Sequence, residues 1–240
     1  MKIVVGTNEE ISEKIAQDFI DVVNKKPNAV LGLATGTSPL LVYANLARAN
    51  KEGKVSFKKC TTFNLDEYVG LSGDHNQSYR YFMNENLFNH IDIDKSKTNV
   101  LLGVGDYKKF MNEYDGLIAL AGGIDIQILG IGSDGHIAFN EPGTSFDSLT
   151  HETPLTEQTI KDNSRLFNDI SEVPTRAVTM GLKSIMNARK IVLIATGRNK
   201  AKAVYGLIKG PITEDMPCSI LQKHPDVTVY CDDDAYSLVK

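Results

Sequence analysis

Ala29-Val30-Leu31-Gly32-Leu33-Ala34-Thr35-Gly36-Thr37-Ser38-Pro39 is an unbroken apolar run that ends in a glycine turn and a proline. The run is too short for a helix and lacks the polar alternation of a half-exposed strand, so it reads as a strand of a parallel sheet covered on both faces. Proline suits the first turn of a following helix. The same order recurs at Lys190 to Thr196, where Gly197-Arg198-Asn199-Lys200 follows. Further short, β-branched runs at Lys2 to Val5, Cys60 to Leu65, Asn99 to Leu102, Ile124 to Ile131, Arg176 to Met180 and Val227 to Cys231 read as strands. Helical patterns fall between them. Thr7 and Glu10 make a capping-box pair ahead of the apolar face Ile11, Ile15, Phe19 and Val22. Other helices are expected at Pro39 to Lys51, Tyr79 to Phe88, Asp106 to Ala121, Leu182 to Asn187 and Lys200 to Lys209, with a short turn after Asp232. Strands alternating with helices predict a doubly wound α/β fold, Rossmann-like, with a mostly parallel sheet and helices on both faces.

The 240 residues, 42% hydrophobic and 23% charged, suit a globular chain that needs no disulfide or metal staple. No repeat, low-complexity tract or linker divides it, so one domain over residues 1–240 is expected. The net charge of -4, with no long run of one sign, argues against nucleic acid and anionic membrane as partners. Three cysteines without a CxxC pair argue against a disulfide framework and a structural zinc site, and no metal or organic cofactor is expected. A reducing cytoplasm fits this count, as does an N-terminus without the regions of a signal peptide. One stretch breaks the rhythm: Gly132 to about Asn168 has little periodicity, and long loops in compact domains tend to be functional.

In open α/β sheets ligands sit beyond the carboxyl ends of the strands. Thr35, Gly36, Thr37 and Ser38 outline a phosphate cradle at a helix start, although a plain Ser or Thr cap would read the same. Arg198 and Lys200 place cations where the helix dipole disfavours them, which a bound anion would explain. Asp66 and Glu67 leave a strand side by side, so at most one should face a pocket. Gly130-Ile131-Gly132-Ser133-Asp134-Gly135-His136 contains a literal G-x-G-x-x-G, but Pro142 follows too soon for a dinucleotide-binding helix. Asp134, His136 and Glu141 lie within eight residues instead. An imidazole beside carboxylates is a proton-transfer unit, because each acid can set its tautomer and raise its basicity.

Ala34 to Pro39, Asn64-Leu65-Asp66-Glu67-Tyr68-Val69-Gly70-Leu71, Gly132 to Pro142 and Asn163-Ser164-Arg165, taken together and in order, resemble the glucosamine-6-phosphate deaminase family. The resemblance implies conversion of glucosamine 6-phosphate and water to fructose 6-phosphate and ammonia, in N-acetylglucosamine catabolism, by an enzyme of the hydrolase class. It assigns ring opening to His136 with Asp134 and Glu141, and the C2-to-C1 proton transfer to Asp66. The phosphate would lie against Thr35 to Ser38, with Arg165 and Lys200 as cations. The rival readings are a 6-phosphogluconolactonase-like hydrolase and a non-catalytic sugar-phosphate sensor. Larger members of the family are hexamers activated by N-acetylglucosamine 6-phosphate, held by a serine, an arginine and a lysine after the Phe-Asn-Glu-Pro motif. Those positions here fall on Thr144, His151 and Thr153, so a monomer or small homo-oligomer without that activation is expected.

Overall fold

A computed structural model describes the backbone of residues 1–164, Phe167 and residues 169–240, and their side chains except at positions 158, 162, 163 and 170. In chain order the strands are β1 (Lys2–Val5), β2 (Val30–Leu33), β3 (Thr61–Asn64), β4 (Asp66–Tyr68), β5 (Thr98–Asn99), β6 (Ile126–Leu129), β7 (His151–Pro154), β8 (Arg176–Thr179), β9 (Lys190–Ala195) and β10 (Val227–Cys231). The helices are α1 (Asn8–Lys25), α2 (Leu40–Lys51), α3 (Tyr79–Asn86), α4 (Tyr107–Leu120), α5 (Glu157–Ser164), α6 (Leu182–Met186) and α7 (Ala201–Lys209). Seven strands form an all-parallel sheet in the order β1-β10-β9-β6-β2-β3-β5. The expected α/β architecture is present.

The strand order explains where a ligand belongs. From β2 the chain winds outward through β3 to β5, then returns to the other side of β2 at β6 and winds away through β9 and β10. The β2–β6 pair is therefore the switch point, where the loops leaving two adjacent strands part and open a crevice. Those loops are Ala34 to Pro39 and Gly130 to His136. Phenol hydroxyls pin the neighbouring strand ends: Tyr43 donates to the Ala34 carbonyl, and Tyr114 donates to the Asn64 carbonyl at 2.8 Å.

Packing accounts for the sequence patterns. All four residues of β2 and all four of β6 are buried, as continuous apolar runs require. The capping box of α1 forms, with the Thr7 hydroxyl accepting from the Glu10 N–H and the Glu10 carboxylate from the Thr7 N–H. Ile11, Ile15 and Phe19 are buried beneath it, with Val23 rather than Val22 completing the covered face. At the sheet edge β1 leaves Ile3 and Val5 exposed, because only β10 pairs with it.

Three expectations are corrected. Arg176 to Met180 does form a strand, but β8 joins a small antiparallel sheet, β4-β8-β7, outside the parallel one. The stretch from Gly132 to Asn168 is not all loop: it carries β7 and α5. His-Glu-Thr-Pro has no apolar pattern to announce β7, and its pairing with β8 supplies the structure, with Pro154 tolerated at an edge. The expected strand at Asn99 to Leu102 shrinks to β5, Thr98–Asn99, although Val100 and Leu101 are buried.

Candidate active site

Asp66 owes its position to the handover between the two sheets. β3 ends at Asn64, and after one residue the chain pairs with β8 instead, Asp66 opposite Thr179. The Met180 N–H donates to the Leu65 carbonyl at 2.7 Å and fixes this corner. Asp66 is thus held at a strand end that opens on a cavity of about 910 Å³, which it lines together with His136, Thr35 to Ser38 and Lys200. Asp66 is only 7% exposed as a residue, and its carboxyl accepts no hydrogen bond among the described residues. Burial, with the Glu67 charge beside it, pushes its pKa up to about 8. Glu67 faces the other way, as pleating requires. Its carboxylate accepts from the backbone N–H groups of Tyr68, Tyr79 and Arg80 at 2.9, 2.9 and 3.0 Å, so it clamps the start of α3. Burial raises Glu67 to about 7 even against those three donors.

His136 enters from the loop beyond β6. Its Nδ1 lies 2.7 Å from Asp134 Oδ1 and 3.5 Å from Glu141 Oε2. Neither oxygen lies along the N–H direction, so Nδ1 and Glu141 Oε2 are both buried without an aligned hydrogen bond. Such loose geometry is common before substrate arrives. The contact with His136 holds the Asp134 carboxyl well below the usual carboxylate range, and the His136 backbone N–H adds a bond to Asp134 Oδ1 at 3.1 Å. Gly132 makes the approach possible, since a Cβ there would stand 2.3 Å from the imidazole. Ala138, in the same loop, has φ of 52°, a left-handed conformation that strains any side-chain-bearing residue. The donor atoms of Asp134, His136 and Glu141 fall within 4.8 Å of one another, close enough to hold a metal ion. A cation held there would occupy the imidazole nitrogen and the carboxylate oxygens that proton transfer needs, so the two uses of the cluster compete.

Thr35, Gly36, Thr37 and Ser38, the residues of the expected cradle, all line the cavity. The N-cap of α2 is Pro39 and no side-chain cap forms among the described residues; the Leu40 N–H that opens the helix meets the Thr37 carbonyl at 3.4 Å, so the Thr37 and Ser38 hydroxyls are not spent on capping. Gly36 takes φ of 93°, which lets the loop turn sharply past the cavity. At the β9 end, Gly197 donates to Asp232 Oδ2 at 2.8 Å, and the following turn places Asn199 and Lys200 in the cavity wall. Arg198 does not line the cavity. Arg165 lies outside the described residues.

Several wall residues are not among the expected site residues. Tyr79 and Phe139 stack at 6.0 Å with an interplanar angle of 5°, and both line the cavity with Thr159 and Lys161. Thr159 belongs to α5, whose amphipathic pattern is too short to read, although Thr156 and Thr159 at i and i+3 do match a helix-capping spacing.

The switch-point cavity carries a buried carboxyl and a histidine beside two acids, a set of groups suited to proton transfer on a small molecule, and comparison with known proteins gives the family. The chain matches the family model of glucosamine-6-phosphate isomerases/6-phosphogluconolactonase over residues 6–230, and it belongs to that family. A glucosamine-6-phosphate deaminase from Mycoplasma mycoides subsp. mycoides SC is 52% identical over 99% of this chain and 97% of its own length. One from Clostridium perfringens is 49% identical over the whole of both chains. Among solved structures, a monomeric glucosamine-6-phosphate deaminase superposes with a TM-score of 0.96 at 45% identity, covering 99% of this chain and 100% of that one. The 6-phosphogluconolactonase from Trypanosoma brucei has a TM-score of 0.78 at 18% identity, a likeness of fold alone. These names correct one expectation. The relatives are deaminases rather than members of a hydrolase class, so the label hydrolase is dropped.

Proposed function

We propose that the chain is a glucosamine-6-phosphate deaminase, converting glucosamine 6-phosphate and water to fructose 6-phosphate and ammonia. The observation that carries this reading is a pair of separate proton-transfer groups on one cavity wall, Asp66 and His136, in a chain about half identical to deaminases over its full length. His136, with Asp134 and Glu141 against its ring, moves protons between O1 and the ring oxygen and opens the pyranose to the 2-amino aldehyde. Asp66 takes the proton from C2, giving an enolamine, and returns it to C1. The C2 imine left behind adds water and releases ammonia, leaving the ketone. A carboxyl held near the operating pH suits the removal of a proton from carbon, and its raised pKa is the physical reason that burial is useful here.

The phosphate binds at Thr35 to Ser38, whose loop opens α2, with Lys200 and Arg165 as counter-charges. Residues 1–240 act as one domain, without an organic cofactor, and as a monomer or small homo-oligomer. No helix among the described residues is long and apolar enough to cross a membrane. Three free, buried cysteines support a reducing cytoplasm as its place of work.

The test is to incubate purified protein with glucosamine 6-phosphate and assay ammonia and fructose 6-phosphate, with 6-phosphogluconolactone as a parallel substrate. Both products in equal amounts are expected. Lactone hydrolysis without ammonia release would replace this reading with the lactonase one.

A further inference from the structure

Glu141 uses its two carboxylate oxygens differently. Oε2 lies 3.5 Å from the His136 ring nitrogen and has no hydrogen-bond partner among the described residues, whereas Oε1 accepts the Thr159 hydroxyl at 2.7 Å and the Thr156 hydroxyl at 3.4 Å. Both threonines belong to the N-terminal turn of α5. Thr156 precedes the first residue of the helix, and its hydroxyl also accepts the Thr159 N–H at 3.2 Å, with the two hydroxyls 3.0 Å apart. The Glu141 main chain is anchored separately, its carbonyl accepting both the Thr144 N–H and the Thr144 hydroxyl at 3.0 and 2.7 Å. Backbone anchoring leaves the side chain free to rotate, so the direction of Oε2 is set by what holds Oε1.

We propose that Thr156 and Thr159 are positioning residues, whose hydroxyls fix one oxygen of Glu141 and thereby aim the other at His136. The inference rests on the deaminase reading and deepens it. A carboxylate that wandered between rotamers would leave the imidazole without its second acid for part of the time, and a partner misplaced by about 1 Å costs on the order of 10²-fold in rate. Thr159 also lines the cavity beside Lys161, so the helix that aims Glu141 is part of the wall that substrate touches. A well-seated α5 and a well-aimed Glu141 are one event. Thr144 cannot substitute, because both of its bonds end on the Glu141 carbonyl.

The test uses the full chain and four variants, Thr159→Val, Thr159→Ala, Thr159→Ser and Thr156→Val/Thr159→Val, assayed for ammonia release from glucosamine 6-phosphate alongside the melting temperature. Thr159→Val keeps the shape and removes the hydroxyl, so kcat should fall about tenfold or more while KM stays within about twofold. Thr159→Ala should match it, which covers the case in which valine is not accommodated. Thr159→Ser should restore kcat to within about threefold of the parent, and the double variant should lose more than Thr159→Val alone. A parent-like kcat in both Thr159→Val and Thr159→Ala overturns the proposal, as does a loss confined to KM or a serine variant as slow as the valine one. A parent protein that releases no ammonia would instead overturn the deaminase reading, and this inference with it.

Discussion

Asp66 and Glu67 are consecutive residues of β4, yet their carboxylates serve opposite sides of it: Asp66 lines the cavity, and Glu67 receives the amides of Tyr79 and Arg80 that begin α3. Adjacent acids therefore divide into a group left without hydrogen bonds among the described residues and a group given three. The unbonded one is the group with chemistry to do. Asp66→Asn keeps the shape but cannot accept a proton, so turnover should drop by roughly 10² to 10⁴ while binding of the sugar phosphate survives in calorimetry. In the parent the base must be ionised, so kcat/KM should rise with pH towards the raised value near 8 and level off above it. A profile flat from pH 6 to 9, or an active asparagine variant, would remove Asp66 from the reaction.

The same burial makes Asp66 a cost to the fold. Its pKa is about 8 folded against about 3.8 unfolded, so between those values the native state holds the extra proton and stability falls as pH rises. Asp66→Asn removes that penalty. Its melting temperature should exceed the parent's by several degrees at pH 8 to 9, at about 2–4 °C per kcal/mol, and the gap should close towards pH 4. An equal gap at both ends of the range would mean that the carboxyl's ionisation is not the cause.

Gly132→Ala tests whether the position of His136 matters. The new methyl would sit 2.3 Å from the ring, so the imidazole must move away from Asp134 and Glu141. Turnover should fall by on the order of 10²-fold with little change in KM, since the phosphate cradle is elsewhere in the cavity. Near-normal turnover would show that the ring's present place is not the working one.

Lys200 supplies positive charge to a cavity in a net acidic chain. Lys200→Gln should raise KM for glucosamine 6-phosphate about tenfold, the worth of a charged hydrogen bond of roughly 1.5 to 3 kcal/mol at its lower end. The same is expected of Arg165→Gln. Unchanged KM in both variants would move the phosphate to another part of the cavity.

Thr144, His151 and Thr153 are spent locally. Thr144 bonds the Glu141 carbonyl, His151 Nδ1 lies 2.8 Å from the Leu149 carbonyl, and the Thr153 hydroxyl donates to the Pro154 carbonyl at 3.3 Å. None carries the fixed charge that a second phosphate site needs. Hyperbolic kinetics are expected, unmoved by N-acetylglucosamine 6-phosphate, from a monomer or small oligomer in light scattering. A hexamer with sigmoidal kinetics that this ligand makes hyperbolic would refute that.

The parallel sheet, the capping box on Thr7 and Glu10, the strand-end residues Thr35 to Ser38, His136 and Lys200, and the adjacent acids Asp66 and Glu67 as a pair were legible from residue order alone. Their signals are local: apolar runs, strand-end position and residue chemistry within a few positions. The antiparallel sheet was not legible, because β7 carries no pattern of its own and exists through its pairing with β8. Nor could residue order say which of Asp66 and Glu67 faces the cavity. Pleating sends them apart, but only the pairing of Asp66 with Thr179 and the placement of α3 fix which way. Thr159 and Glu141, 18 residues apart, are joined at 2.7 Å across a loop and a strand. Such contacts join residues distant in sequence, so they belong to the tertiary structure: local chemistry names the reacting groups, and packing of distant segments decides where each of them points.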